Sequence, residues 1–97
     1  MATDAYRLRP RAEADLADIW RYTARIWSPG QAERYHADIV AVFQKLGRGA
    51  MVGRPVDIRK GYFKCLVGSH VVFYRMADWG IEVVRVLHRR MDVDRHL

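Results

Sequence analysis

Ninety-seven residues, 51% of them hydrophobic, suffice for one core but not two, so a single domain over 1–97 is expected and intrinsic disorder is excluded. The net charge of +6 is uneven: residues 1–46 hold seven basic and six acidic side chains, residues 47–97 ten and five. Fourteen of the seventeen cations are Arg, the residue suited to forked recognition of phosphate or carboxylate, so the C-terminal half is expected to meet an anionic partner.

A single cysteine, Cys65, rules out an intramolecular disulfide framework and fits a reducing compartment. The start of the sequence has no basic region followed by an apolar run, and no apolar stretch reaches the roughly 18 residues of a membrane span. A cytoplasmic protein with no membrane partner is therefore expected.

Tyr6, Arg7, Leu8 and Arg9 alternate like a short strand stopped by Pro10. Ala12, Leu16, Ile19, Trp20, Thr23, Ile26 and Trp27 recur at three-and-four spacing, which predicts a helix with one buried stripe and Asp15, Asp18, Arg21 and Arg25 on its solvated side. Ser28-Pro29-Gly30-Gln31 carries the parts of a capping box, and Ala32, Tyr35, Ile39, Val42, Phe43 and Leu46 form the stripe of a second helix. Gly47 is expected to end it in a left-handed conformation. The connection is short enough for an antiparallel hairpin.

Residues 47–57 read as a loop. Ile58 to Val67 and His70 to Ala77 read as strands joined by a type II′ turn at Gly68-Ser69, and Asp78-Trp79-Gly80 as a turn leading into the strand Ile81 to His88. The order is β-α-α-β-β-β, an α+β fold with a helical hairpin packed on a mostly antiparallel sheet.

Catalytic motifs are scarce. No phosphate loop is present, the four histidines and Cys65 lack metal-ligand spacing, and no cofactor or metal site is expected. Ser28 and Ser69 are absorbed by a cap and a turn, and mid-strand Cys65 reads as a small buried side chain. Lys64, Arg75, Arg85 and His88 remain. If Arg75 and Arg85 are diagonal neighbours across a hairpin, this set would hold RNA phosphates with His88 as general acid or base; the plainer alternative is a basic solvated sheet face.

Three segments, Arg59-Lys60-Gly61-Tyr62, Val71 to Arg75 and Val84 to Asp92, resemble in order and spacing the C-terminal half of ParE toxins of the RelE/ParE superfamily. Tyr6 to Pro10 and Ala14 to Tyr22 are similar to that family's first strand and helix. The resemblance implies a type II toxin whose target is DNA gyrase and whose partner is a ParD-like antitoxin in a hetero-oligomer. It also implies a protein-binding toxin rather than an enzyme, and leaves operator recognition to the antitoxin, so this chain alone is expected to bind no specific DNA sequence. RelE-like relatives instead cut messenger RNA on the ribosome, which would call on Lys64, Arg75, Arg85 and His88; the absence of a tyrosine beside His88 departs from that pattern.

Two surfaces follow as expectations. Leu16, Trp20, Tyr35, Ile39 and Phe43, with Arg59 and Arg75, would bind the antitoxin, the alternative for Ile39 and Phe43 being the core. Arg89, Arg90, Asp92, Arg95 and Leu97, read as a free charged end beyond the last strand, would form the toxic surface.

Overall fold

The computed structural model describes residues 5–91 and 93–97. Eight elements follow in order: β1 (Tyr6–Leu8), α1 (Pro10–Ile26), α2 (Pro29–Gly47), β2 (Arg54–Pro55), β3 (Tyr62–Val67), β4 (His70–Ala77), β5 (Gly80–His88) and α3 (Val93–His96). The strands form one mixed sheet ordered β1-β5-β4-β3-β2, in which only the β1–β5 pair is parallel. The helical hairpin covers one face. Ala12, Leu16, Ile39, Phe43 and Leu46 close with Val72, Tyr74, Ile81, Val83 and Val86 into the main core.

Local chemistry explains the element ends. The Ser28 hydroxyl accepts the Gln31 N–H at 3.0 Å, but the Gln31 side chain accepts from Arg34 instead of returning to the cap, so half of the box forms. α2 runs through Gly47 rather than turning left-handed there. Gly49, at φ 77°, makes the turn, with its N–H on the Leu46 carbonyl and the Ala50 N–H on the Lys45 carbonyl, a Schellman closure. Gly47 serves another purpose: a Cβ there would lie 2.3 Å from the Ala5 carbonyl oxygen, so its bare α-carbon admits the chain entering β1. The β3–β4 turn has φ 56° at Gly68 and no positive φ at Ser69, as a type II′ turn requires.

The predicted strand from Ile58 is too long. Ile58 is exposed and Gly61 has φ 86°, so pairing starts at Tyr62, while Arg54–Pro55 of the predicted loop adds a two-residue edge strand. The buried stripe of α1 is also shorter than its periodicity. Ile26 and Trp27 are 52% and 75% exposed because the helix overruns the sheet.

A register shift between Phe73 and Tyr74 lets Val84 bulge, so Arg85 pairs with Phe73. The outer face of the sheet then carries a second apolar cluster, Val56, Tyr62, Phe73, Val84 and Leu87. Val93, which opens the single turn of α3, and Leu97, just after it, pack on it. The tail is thus a docked turn rather than a free end.

Candidate functional site

A concavity of about 610 Å³ lies along the helical hairpin. Its apolar lining comes from Leu8, Leu16, Ala17 and Trp20, and its charged rim from Glu13, Arg21, Glu33 and His36. Amphipathic periodicity builds it: Leu16 and Trp20, one turn apart on α1, meet the exposed side of α2 where Glu33 and His36 project. An apolar trough rimmed by both signs of charge suits an amphipathic helix.

Of the residues expected to bind an antitoxin, Leu16 and Trp20 line this trough, Leu16 as a 6%-exposed member of the core at its floor and Trp20 half-buried. Ile39 and Phe43 have 0% exposure and lie in the core, out of reach of any partner. Tyr35 is half-buried and clamps the β3–β4 turn: its hydroxyl donates to the Val67 carbonyl, accepts the Ser69 N–H and meets His70 Nδ1 at 2.6 Å. A Cβ on Gly68 would strike the Tyr35 ring, so helix and turn fit only with glycine there. Burial, and then the neighbouring His88, lower the pKa of His70.

Arg59 and Arg75 lie on the outer face, with guanidinium carbons 4.9 and 5.5 Å from the Tyr62 ring centroid. Beside them Arg9 binds Glu82 at 2.9 Å; that hydrogen bond lowers the Glu82 pKa, burial opposes it, and the charges of Arg9, Arg75 and Arg7 add to the lowering. Arg59 also donates to the Leu97 carbonyl.

The four residues expected to act on RNA do not converge. Lys64 and Arg75 are exposed on the outer face. Arg85, diagonal to Arg75, is committed to Asp15 through Nε at 2.8 Å and Nη2 at 2.9 Å and donates to the His96 carbonyl. His88 lies on the helix side, its ring 5.3 Å from that of His70 and its Nδ1 accepting the Arg90 N–H.

Asp15, expected to be solvated, is instead largely buried. Its side chain is 13% exposed, and its carboxylate also accepts the Val86 N–H at 2.9 Å. β1 ends at Leu8 and α1 continues along β5, so Asp15 supplies the acceptor that a longer β1 would have offered. No local spacing signals a pair 70 residues apart.

Of the expected toxic surface, Arg89, Arg90 and Arg95 are exposed and Leu97 is half-buried against the outer cluster. Asp92 lies outside the described residues. Among the described residues no group of three His, Cys, Asp or Glu is placed to hold a metal ion, and no helix is long and apolar enough to cross a membrane.

Residues 6–93 match the family described as ParE toxin of type II toxin-antitoxin system, parDE. The chain is 46% identical to Toxin ParE1 of Mycobacterium tuberculosis over 94 residues, covering 95% of this chain and 96% of that one, and 42% identical to Toxin ParE1 of Caulobacter vibrioides over 93 residues, covering 95% and 96%. Among solved structures it resembles a chain of the chromosomal ParDE TA system from P. aeruginosa, with TM-score 0.74 at 21% identity over 86% of this chain and 92% of that one. It also resembles a chain of the toxin-antitoxin complex RelBE2 from M. tuberculosis, with TM-score 0.57 at 30% identity over 87% and 95%. The chain belongs to the ParE toxin family of type II toxin–antitoxin systems.

Proposed function

We propose that this toxin, acting as one domain in the cytoplasm, arrests growth by poisoning DNA gyrase and is neutralised by a ParD-like antitoxin whose amphipathic helix occupies the α1–α2 trough. The observation carrying the antitoxin half is the trough itself, apolar at Leu16 and Trp20 and charged at its rim. The gyrase half rests on family membership and on the exposed guanidinium groups Arg89, Arg90 and Arg95 at the C-terminal end. An RNA-cutting activity has less support, because Arg85 is held by Asp15 and His88 lies across the sheet from Lys64 and Arg75.

The test is induced expression in a bacterial host, with DNA and protein synthesis followed by separate radiolabels. Early loss of DNA synthesis with filamentous cells is expected; early loss of protein synthesis with cleaved messages would replace this reading with the nuclease one. Removing residues 91–97 is expected to abolish arrest while antitoxin binding persists. Loss of both would mean that the docked tail is needed for folding.

A further inference from the structure

α1 does not stop where the sheet stops. Its course along β5 is fixed at three points: Arg9 N–H on the Val83 carbonyl, Asp15 on Arg85 and the Val86 N–H, and Asp18 and Ile19 in a common cleft with His88 and Met91. The helix reaches the end of β5 by residue 19 and continues for two more turns. Tyr22, Ile26 and Trp27 therefore project past the end of the sheet, 57%, 52% and 75% exposed. They share that end of the molecule with Met91, itself 40% exposed, and with exposed Arg89 and Arg90.

Fold stability gains little from this arrangement, since these three side chains leave half or more of their surface in water. The tip is nonetheless rigidly made. Trp27 N–H bonds the Thr23 carbonyl, Ser28 caps the next helix, and Pro29 begins it. Its charge is one-sided as well. Arg21 is paired with Asp18, but Arg25 lies over the Tyr22 ring, Arg34 donates to the neutral Gln31, and Arg89 and Arg90 are exposed. Exposed Trp and Tyr on a preorganised scaffold, set among exposed Arg, is the composition of a binding hot spot.

We infer that this end of the molecule, with Trp27 and Ile26 at its centre and Arg25, Arg89 and Arg90 around them, is the surface that grips the toxin's protein target, and that the target presents an acidic patch with an apolar pocket for the indole. The inference deepens the toxin reading and rests on it. Tyr22, Ile26 and Trp27 do not line the trough assigned to the antitoxin, so the two functions occupy separable surfaces.

The test compares the parent chain with Trp27→Ala/Ile26→Ser and with Arg89→Glu/Arg90→Glu. These side chains are exposed, so thermal unfolding should be unchanged, and an altered midpoint directs the test to the single variants Trp27→Ala and Arg89→Glu. Binding to purified DNA gyrase and growth arrest on induction are both read. Each double variant is expected to lose at least about tenfold in gyrase affinity, as removal of a hot spot does, and to arrest growth weakly or not at all. If the parent binds gyrase and the variants bind equally well, this inference is overturned while the gyrase reading stands. If the parent does not bind gyrase, that reading falls and the growth assay decides alone: variants as toxic as the parent overturn the inference, and harmless variants uphold it. A parent that neither binds nor arrests growth overturns both. Self-association in sedimentation, or binding to anionic vesicles, that disappears with Trp27→Ala/Ile26→Ser would assign the tip to a second copy or to a lipid surface, and would equally overturn it.

Discussion

The inner face of the sheet lies under two helices of 17 and 19 residues, the outer face under a four-residue turn. Both faces bury aromatic side chains almost completely, Phe43 and Tyr74 inside, Phe73 outside. Their covers differ in what holds them. α1 and α2 are long enough to carry continuous apolar stripes, whereas one isolated turn has no helical stability of its own and depends on its contacts. α3 is held by Val93, Leu97 and two guanidinium groups, Arg59 and Arg85, bonded to the carbonyls of Leu97 and His96. Burial alone therefore does not measure how firmly an element is fixed; the lowest-energy openings belong to the element with the thinnest cover.

That contrast can be broken most sharply at its two phenylalanines. Phe43→Ala opens a cavity between two helices and the sheet that cannot easily collapse, and is expected to cost about 3–5 kcal/mol, near the whole stability of so small a domain. Phe73→Ala should cost less, toward roughly 3 kcal/mol, because α3 can settle into the gap. Denaturant unfolding of both checks the order, and equal losses would mean that the outer cover is as rigid as the inner one.

Asp15→Ala is next. It strands a largely buried Arg85 and the Val86 N–H together, for an expected loss of roughly 3 kcal/mol in urea unfolding, whereas Asp15→Asn, which keeps an acceptor, should lose less. Removing the cover itself, through Val93→Asp/Leu97→Asp, should cost only about 1–2 kcal/mol, since both side chains are only partly buried. Hydrogen exchange should find the amides of residues 94–97 the fastest of any helix.

The smallest effect is in pH. His70 has a lowered pKa in the folded chain, mainly through burial and then through His88, so the folded state favours its neutral form. The unfolded chain binds that proton at about 6.5. The His70 contribution to stability is therefore full above that value and is lost as pH falls through the depressed folded pKa. Stability followed over that window in the parent and in His70→Asn should show a slope in the parent that flattens in the variant.

Much of the fold was legible because it is written in local chemistry. Ser28-Pro29 announces α2, and Gly68-Ser69 fixes a two-residue turn. That turn alone sets Tyr62 opposite Arg75 in the register, so the stacking of Arg75 on Tyr62 was within reach of the sequence. The candidate sites were less legible. Leu16 and Trp20 fall in the trough as their spacing suggests, but the same spacing marked Ile39 and Phe43, which the sheet covers, and Trp27, which it does not reach. Periodicity reports which side of a helix is apolar and is silent on how far the opposing surface extends.

The sequence by itself determined the helical hairpin, the order of the long strands, their turns and the family, since capping residues, period and turn glycines act over a few neighbours. Tertiary structure decided the rest. A one-residue bulge at Val84 set which face carries Arg85, and the shortness of β1 made Asp15 an acceptor for the open edge of β5. The packing of Val93 and Leu97 turned a charged tail into a cover. Each depends on contacts between segments far apart in the chain, whose energies no local pattern encodes.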